Sequence, residues 1–412
     1  MTPNTRTAAL IAASFVLAAC GAGSSDSGST LETESGSSRA LLAAPVQLED
    51  AQRLSSGTNF VTALHADGTV YAWGSNDAGQ LGIKASAGSL VPVMVTGLSA
   101  VQALQSGANH SAVLRTDGTV WTWGLNTSGQ LGNGRADAGS FMPAKVAGLS
   151  PVTAITAGER HTYTLTQAGE VWGWGRMPDR NSTEPRRVNQ LQNVRRIAAG
   201  KDFTLAIKSD GSVWGWGGNG YGQLGNGGRV TPVPAPTRVL GVDRVVRVAG
   251  GLMHAMALRD DGSVWTWGGN TYNQLGYSAA SSYTAQKVSG LPTPINGASG
   301  VKAIAAGSYN SAVLYTDGSA WIWGDNSAGQ FGNGTLTGSA VPVKVNSVTD
   351  IVALTVSDGF VALLDRNGAL YSTGFNGRGQ LGNNTLSDSS VPVKVVGLSG
   401  VAYLKLGKSS GK

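Results

Sequence analysis

Short apolar runs recur along the chain, and residues typical of tight turns separate them. In one stretch, Val101–Gly107 is followed by His110–Leu114, and Asp117-Gly118 then leads into Val120–Gly124. Residues that alternate in this way point to opposite faces of a strand. Asp-Gly between two apolar runs is a strong hairpin signal, because a two-residue hairpin needs positive φ at both turn positions. The pattern predicts antiparallel strands joined by tight turns.

This unit recurs seven times at a mean spacing of about 50 residues. Its central motif is Asp-Gly-x-Val-Trp-x-Trp-Gly, and the seven copies, two of them altered at the first position, begin at Asp67, Asp117, Ala168, Asp210, Asp261, Asp317 and Asn367. A second motif, Asn-x-x-Gly-Gln-Leu-Gly, follows in every unit except the third, and a run containing proline closes most units. Proline is tolerated at a sheet edge, so this last run is expected to be outermost. Four strands per unit and seven units predict an all-β fold, a seven-bladed β-propeller.

The two faces of each predicted sheet are both apolar or small, which indicates that neighbouring sheets cover them. Trp121 and Trp123, for example, lie two positions apart and therefore share one face. Tryptophan pairs of this kind could stack on sugars or bases, but their repeated place in a doubly covered strand favours a role in the core.

The two ends of the chain repeat the same pieces. Arg53–Gly57 resembles Tyr403–Gly407, and Pro45–Leu48 resembles Pro392–Val395. The elements at the start of the repeated unit thus occur eight times, and the elements that follow them within the unit occur seven times. We therefore expect a propeller over residues 45–407, a ring closed by strands from both termini, and a tail at 408–412.

Composition narrows the alternatives. The chain has 412 residues, of which 60 are glycine, 41% are apolar and 13% are charged. Frequent glycine disfavours long helices, and the apolar content excludes a disordered chain. The net charge of +6 contains no block of basic residues, so we expect no nucleic-acid partner.

The N-terminus has the features of an export signal. Arg6 precedes an apolar stretch, 8–19, which is too short to span a membrane but suits a signal peptide. Leu17-Ala18-Ala19-Cys20 looks like the lipobox of bacterial lipoproteins, and Cys20 is the single cysteine. We predict a signal peptide at 1–19, lipid attachment at Cys20 and a Ser/Gly-rich tether to residue 44. The alternative is a signal peptide with an incidental cysteine.

With these motifs, the chain resembles the regulator of chromosome condensation repeat family, as a bacterial, lipoprotein-type, alpha-tubulin-suppressor-like member. The resemblance covers roughly residues 45–407 and implies a rigid disc that binds another protein on one face. The founding member of the family is a guanine nucleotide exchange factor. That activity is not expected here, because no long insertion corresponds to the wedge that it uses and because an exported lipoprotein does not meet a cytosolic GTPase.

The histidines and aspartates that could bind a metal or take part in catalysis also have structural interpretations. His110, His161 and His254 occupy a position that is phenylalanine in other units, which favours packing over metal binding. His65 lies near a turn. The repeated aspartates are explained by the hairpins, since a calcium loop needs further oxygen ligands at alternate positions. No catalytic motif appears, so we expect no catalytic residue, no metal site and no cofactor.

The third unit is the one anomaly, because it replaces the second motif with a charged segment. Function in a repeat protein often lies where the repeat breaks. The candidate partner-binding residues are Arg176, Arg180, Arg186 and Arg187. The alternative is a solvated charged loop.

The sequence therefore favours a lipid-anchored protein of the bacterial cell envelope that binds a macromolecule, with a protein as the expected partner, the N-terminal lipid as its membrane contact, and a monomeric state. One alternative is an enzyme or lyase with a small-ligand pocket at the central channel, which polar residues around that channel would favour. A flat face with exposed aromatic or basic loops would favour binding. A largely structural surface protein would show neither.

Overall fold

The computed structural model describes residues 53–278, 280–292, 300–398 and 401. In this part of the chain, 28 strands form seven four-stranded antiparallel sheets, and the seven-bladed propeller is confirmed. Each sheet, or blade, uses four consecutive strands in chain order.

Blades 1 to 4 run from residue 54 to residue 238. Their strands are β1 (Leu54–Ser56), β2 (Phe60–Leu64), β3 (Val70–Gly74) and β4 (Ser89–Met94); β5 (Val101–Ser106), β6 (His110–Arg115), β7 (Val120–Asn126) and β8 (Asp137–Lys145); β9 (Val152–Ala157), β10 (His161–Thr166), β11 (Val171–Gly175) and β12 (Ser182–Arg187); β13 (Val194–Ala199), β14 (Phe203–Lys208), β15 (Val213–Gly217) and β16 (Val233–Arg238).

Blades 5 to 7 continue to residue 394. Their strands are β17 (Val245–Gly250), β18 (His254–Arg259), β19 (Val264–Gly268) and β20 (Ser282–Lys287); β21 (Val301–Ala306), β22 (Asn310–Tyr315), β23 (Ala320–Gly324) and β24 (Ser339–Lys344); β25 (Ile351–Val356), β26 (Phe360–Asp365), β27 (Leu370–Gly374) and β28 (Ser389–Lys394).

The first strand of each blade lines the central axis, where it contacts the first strands of both neighbouring blades. The last strand is outermost, as predicted, and contains proline in six of the seven blades; Pro342 of β24 and Pro392 of β28 are examples. An outer strand has a free edge, so the N–H that proline lacks is not needed for a ladder.

The Asp-Gly turns differ from the predicted two-residue hairpins. In blade 1 the carbonyl of His65 accepts the Gly68 N–H at 3.0 Å, and the His65 N–H donates to the Thr69 carbonyl at 2.8 Å. Positive φ occurs at Gly68 and not at Asp67. The Asp67 carboxylate instead accepts the Thr69 N–H at 2.9 Å. The aspartate is thus selected for a side-chain hydrogen bond to the backbone, and only the glycine for its left-handed conformation.

The core lies between blades. Seven apolar clusters are each shared by two adjacent blades, and the last one joins blade 7 to blade 1. The tryptophan at the second aromatic position of the central motif is fully buried there in blades 1 to 6, which confirms the core interpretation for these residues: Trp73, Trp123, Trp174, Trp216, Trp267 and Trp323. The first tryptophan of each pair is half-buried toward the outer strand, as at Trp121 and Trp265.

Both ends of the described chain meet in blade 1. Val401 forms an antiparallel bridge with His65, the place that Val101 takes opposite Arg115 in blade 2. Leu54 of β1 continues the same inner edge opposite Ala63. The N-terminal segment therefore supplies the inner strand of blade 1, β1. The C-terminal segment supplies Val401, which takes the place of the first residue of that strand. The predicted signal peptide, Cys20, the tether, Pro45–Leu48 and residues 402–412 lie outside the described residues.

Candidate functional site

The two ends of the ring differ in what they display. On one end, which we call the loop face, lie the turns between the first and second strands and the loops between the third and fourth strands, such as 57–59 and 75–88 in blade 1. The opposite end, the hairpin face, carries the Asp-Gly turns and the connections between blades. Because the strands alternate in direction, every blade places the connection between its third and fourth strands on the same face, and this connection is short only in blade 3.

The long loops are held rigidly by the asparagine of Asn-x-x-Gly-Gln-Leu-Gly. In blade 6 the side-chain oxygen of Asn326 accepts the Phe331 N–H at 2.9 Å, and its amide donates to the carbonyls of Thr335 (3.0 Å) and Thr337 (3.1 Å). Asn326 is fully buried. One side chain thus closes the loop, which makes the motif structural.

The same loops fasten neighbouring blades together. The buried indole N–H of Trp123 donates to the carbonyl of Gln80 in the preceding blade at 2.9 Å, and four other blades repeat the bond. Trp73 closes the ring in this way by donating to the Gln380 carbonyl at 3.0 Å. Blade 7 has Thr373 instead of a tryptophan, and its hydroxyl donates to the Gly329 carbonyl at 2.8 Å.

Blade 3 lacks the motif, and a tyrosine replaces it. The indole N–H of Trp216 in blade 4 donates to the hydroxyl of Tyr163 at 2.9 Å, and the two rings meet edge to face at 5.4 Å. Gly173 makes room, because a Cβ there would overlap the Tyr163 ring. Burial raises the pKa of Tyr163, so its hydroxyl stays protonated.

The missing loop leaves a notch of about 220 Å³ between blades 3 and 4 on the loop face. Arg160, Arg176 and Lys201 line it together with Glu159 and Asp202. The Asp202 carboxyl lies against Gly218 and accepts a hydrogen bond from Gln223 at 3.3 Å. Desolvation raises its pKa, although that hydrogen bond opposes the shift. The notch is a small polar pocket with one basic group in excess.

The four candidate arginines do not form one patch. Arg176 lines the notch, and Arg180 is exposed on the loop beside it. Arg186 pairs with Asp179 at 3.2 Å, and Arg187 pairs with Glu170 at 3.0 Å. Arg186 and Arg187 are consecutive in β12, so they point to opposite faces of the blade. Only Arg176 shares a concave surface with other charged residues.

A cluster that the sequence analysis did not single out lies beside the notch. Tyr221, Tyr272 and Tyr309, which we call the tyrosine sector, occupy the loop face of blades 4 to 6. The rings of Tyr272 and Tyr309 are 4.4 Å apart, and Tyr221 and Tyr272 are 43% and 42% exposed. The pKa of Tyr309 is raised by desolvation and by nearby groups including Asp358.

The signal for this sector was in the variable positions of the repeat. Tyr221 and Tyr272 stand at the second x of Asn-x-x-Gly-Gln-Leu-Gly, where blades 1, 2 and 6 have Ala78, Ser128 and Ala328. Tyr309 immediately precedes the strand β22, where blades 1 and 2 have asparagine. Large aromatic side chains at positions that need no particular residue, two of them exposed, indicate a surface function.

The central channel contains a cavity of about 320 Å³ that is lined by the first strands of all seven blades. At the loop face, Lys201 of blade 4 pairs with Asp358 of blade 7 at 3.8 Å, across the ring. At the hairpin face, Arg195, Arg196 and Arg247 line the wall. Polar groups around the channel and exposed aromatics on one face are therefore both present.

The histidines are packing residues, as predicted. His110, His161 and His254 are at most 3% exposed, and each has a hydroxyl partner in the next blade, such as Ser311 at 2.8 Å from His254 Nε2. Burial lowers the pKa of His110 and His254 to about 3. His65 lies beside its turn and contacts Asp67 at 2.9 Å. Among the described residues, no group of three or more potential ligands could hold a metal ion.

The fold defines a repeat propeller with rigid loops on one face, and comparison with known proteins specifies which one. The RCC1-like domain model matches residues 178–410, and the regulator of chromosome condensation (RCC1) repeat matches residues 67–114 and 117–165. The chain belongs to the RCC1-like propeller family.

Relatives are similar over about two thirds of this chain. The mitochondrial RCC1 domain-containing protein RUG3 of Arabidopsis thaliana is 32% identical over 66% of this chain and 53% of its own length. The E3 ubiquitin-protein ligase HERC2 of Mus musculus is 31% identical over 71% of this chain and 5% of its own length. The chain thus spans about half the length of the first relative and a small part of the second.

Solved structures share the fold. Prp20p from Saccharomyces cerevisiae, described with its binding to Gsp1p and histones, has a TM-score of 0.71 at 23% identity over 84% of this chain and 87% of that one. Human WBSCR16 has a TM-score of 0.67 at 24% identity over 79% and 93%. Within the described residues, no helix is long and apolar enough to cross a membrane.

Proposed function

We propose that this propeller binds another protein through its loop face, with the tyrosine sector at the centre of the contact. The observation that carries the proposal is the adjacency of Tyr221, Tyr272 and Tyr309 on three consecutive blades, with Tyr221 and Tyr272 exposed and Tyr309 half-buried. Tyrosine is enriched in binding hot spots because it brings a large rigid area with little conformational entropy to lose.

The rigidity of the loops supports this role. Tyr221 and Tyr272 lie in loops closed by the buried side chains of Asn219 and Asn270. A partner would therefore meet a surface that is already ordered, and association would cost less entropy than binding to mobile loops.

The notch gives the same face a place for a protruding side chain. It opens beside the loop that carries Tyr221, since Gly217 and Thr231 of that loop line it. Arg176 and Lys201 would attract a carboxylate of the partner, and the neighbouring aromatic surface would pack around it. Of the four candidate arginines, Arg176 is the one that this arrangement uses.

Photo-crosslinking tests the face. The residue p-benzoylphenylalanine is placed at position 221 or 272 on the loop face, and at Leu240 or Val396 on the hairpin face as controls of similar exposure. We expect a discrete crosslinked partner from positions 221 and 272 alone. An excess of unlabelled protein should compete, and the variant Tyr221→Ala/Tyr272→Ala should not. Crosslinks confined to Leu240 and Val396 would refute the proposal.

We also propose that the protein acts in the bacterial cell envelope, held by a lipid on Cys20. The support is the apolar stretch 8–19 followed by Leu17-Ala18-Ala19-Cys20. Growth with an alkyne fatty acid should label the wild-type protein in the membrane fraction, whereas Cys20→Ser should remain unlabelled. A wild-type protein without label would contradict the anchor and leave the binding proposal to its own test.

A further inference from the structure

A carboxylate lies next to the tyrosine sector. The N–H of Asp325, the residue after β23, donates at 3.0 Å to the carbonyl of Tyr309, the residue before β22. All seven blades repeat this backbone hydrogen bond, but only blade 6 has an acidic residue at the position of Asp325. The residues at this position in the other blades are Ser75, Leu125, Arg176, Gly218, Gly269 and Phe375. The carboxylate beside Tyr309 is therefore an addition to the repeat.

Blade 5 shows what a side chain at this position contacts. The equivalent residue there is Gly269, and a Cβ built on it would lie 3.4 Å from the Cβ of Tyr221 in the preceding blade. One blade further on, Asp325 takes the place of Gly269, and Tyr272 takes the place of Tyr221. The side chain of Asp325 therefore begins beside Tyr272 as well as Tyr309, and the rings of these two tyrosines are 4.4 Å apart.

Neutral donors hold the Asp325 carboxylate in place. Its two oxygens accept hydrogen bonds from the N–H of Ser327 at 3.1 Å, from the Ser327 hydroxyl at 3.0 Å and from the amide of Gln330 at 2.9 Å. Among the described residues it forms no ion pair, whereas the nearby Asp358 pairs with Lys201 at 3.8 Å. The negative charge of Asp325 is thus ordered by the loop but is not balanced by a cation of the chain.

Elsewhere in this protein, partly exposed aromatic rings are covered by cations of the same chain. The guanidinium of Arg229 lies 5.7 Å from the ring centroid of Tyr283, and that of Arg259 lies 5.7 Å from the ring centroid of Trp265. These distances are typical of cation–π contacts. In the described part of the chain, no lysine or arginine lies over a ring of the tyrosine sector. The sector has the rings and the carboxylate of a cation site without an internal cation.

We propose that the tyrosine sector and Asp325 together bind an arginine side chain of the partner protein. The inference rests on the proposed function, because it names the group that the partner presents to this part of the loop face. A guanidinium is planar, so it can stack on a tyrosine ring while its N–H groups donate to a carboxylate. The ammonium of lysine is more strongly hydrated and lacks this plane. Since the notch attracts a carboxylate, the contact surface of the partner carries both signs of charge.

Nuclear magnetic resonance tests the site without the partner. The full-length protein, isotopically labelled in its tyrosine rings and kept in non-ionic detergent, is titrated with N-acetylarginine methylamide. N-acetylcitrulline methylamide is the control, because it has nearly the same shape and no charge. We expect the signals of Tyr272 and Tyr309, assigned from Tyr→Phe variants, to shift with a dissociation constant of about 1–10 mM for the arginine probe. The citrulline probe should give no saturable shift.

Charge variants separate the site from the general field of the face. Asp325→Asn keeps the shape of the side chain and should weaken binding of the arginine probe about tenfold. Asp77→Asn is the matched control, because it also removes one carboxylate from the loop face, in blade 1, where the Asp77 side chain is 71% exposed. It should change the affinity less than twofold.

A ring variant keeps the test decisive if Asp325→Asn disturbs the loop. Tyr272→Leu leaves Asp325 and its donors in place, and Tyr272 is 42% exposed, so the protein should fold. It should weaken binding of the arginine probe about fivefold. Tyr283→Leu is its control, since that ring already stacks with Arg229, and it should leave the affinity unchanged. The thermal midpoint of each variant reports whether it is folded.

The link to the partner has its own measurement. With p-benzoylphenylalanine at position 221, the arginine probe at a concentration well above its dissociation constant should reduce crosslinking, and the citrulline probe should not. Crosslinking that the arginine probe leaves unchanged would overturn the assignment of the arginine to the partner.

Three results in the titrations overturn the inference: no shift with the arginine probe, equal shifts with both probes, or an affinity that folded Asp325→Asn and Tyr272→Leu variants retain. Each leaves the proposed function in place if positions 221 and 272 capture a partner. Crosslinks confined to the hairpin face would instead refute the proposed function, and the inference would fall with it.

Discussion

At the scale of single residues, blade 3 shows how one side chain replaces a whole loop. Five blades supply a backbone carbonyl to the tryptophan of the next blade, and the loop that would do so is absent here. Tyr163 brings a hydroxyl to the same indole N–H of Trp216. The substitution needed a second change, glycine at position 173, to accommodate the ring. The interface between blades 3 and 4 is thus preserved while the surface above it is open.

We predict that Tyr163→Phe lowers the free energy of unfolding by about 1–3 kcal/mol, because it leaves the buried indole N–H of Trp216 without an acceptor. Urea denaturation measures the change. The control is the same substitution in a Trp216→Phe background, where no donor remains and the cost should nearly disappear. Equal costs in both backgrounds would show that the hydrogen bond contributes nothing.

The buried histidines predict a dependence of stability on pH. Burial lowers the pKa of His110 and His254 to about 3, and that of His161 to about 4. In the unfolded chain these groups bind protons near pH 6.5. Between pH 6.5 and 4.5 the unfolded state therefore holds more protons than the folded state, and stability falls as the pH falls. The slope is about 1.4 kcal/mol per pH unit for each histidine.

His254→Phe should reduce that slope by about the contribution of one histidine, because the titrating ring is removed. The variant should still fold, because phenylalanine already fills the equivalent position in three blades. Urea midpoints at several pH values between 6.5 and 4.5 measure it. Ser311→Ala is the control, since it removes the hydroxyl partner of His254 at 2.8 Å but keeps the titrating ring. It should lower stability at every pH with the slope retained. An unchanged slope in His254→Phe would contradict the prediction.

At the scale of elements, the long loops are rigid because buried asparagines close them. Each asparagine uses its oxygen and its amide at once, so the loop geometry depends on one side chain. The exposed positions between these fixed points are free to vary, and the tyrosine sector lies at such positions. A rigid frame with variable positions is the arrangement expected of a recognition surface.

We predict that Asn326→Ala costs about 2–4 kcal/mol, because the Phe331 N–H and two carbonyls of the loop lose their partner. Asn333 lies in the same loop but is exposed, and accepts from the Thr335 N–H at 3.1 Å. Asn333→Ala should cost less than about 1 kcal/mol. Hydrogen exchange over residues 331–337, together with urea denaturation, compares the two. Similar losses would mean that burial of the asparagine is not what stabilises the loop.

At the scale of the whole molecule, closure of the ring joins blade 7 to blade 1 by several kinds of contact. Ser56 and Thr355 hydroxyls lie 2.7 Å apart, Trp73 reaches the Gln380 carbonyl, and one apolar cluster spans the seam. Val401 completes the inner edge of blade 1 from the C-terminal side. The closed ring in turn creates the central cavity and gives the loops a common face.

We predict that Val401→Ser lowers the free energy of unfolding by about 2–3 kcal/mol, since it removes a buried apolar side chain from the seam. Val396→Ser is the control, because Val396 is 40% exposed and its change should cost less than about 0.5 kcal/mol. Thermal unfolding measures both. Equal stability of the two variants would show that Val401 does not hold the seam.

The sequence by itself determined the blades, their number, the outer place of the prolines and the core role of the tryptophans and histidines. These follow from local periodicity repeated seven times, and repetition makes a weak local signal unambiguous. The positions of the Asp-Gly turns were predicted correctly. Their predicted two-residue geometry was wrong, because a side-chain hydrogen bond competes with the two-residue turn. Cys20 and the N-terminal anchor remain predictions.

Only the tertiary structure decided which residues of different blades meet. Arg186 and Arg187 look like one basic patch in the sequence, but neighbouring positions in a strand face opposite ways and each has its own acidic partner. Tyr221, Tyr272 and Tyr309 are dispersed over 89 residues and become neighbours because their blades are adjacent. Arg195, Arg196 and Arg247 converge for the same reason, since the inner strands share one axis. A repeat specifies its own unit locally, whereas a surface or a cavity is built from several units and depends on how the ring closes.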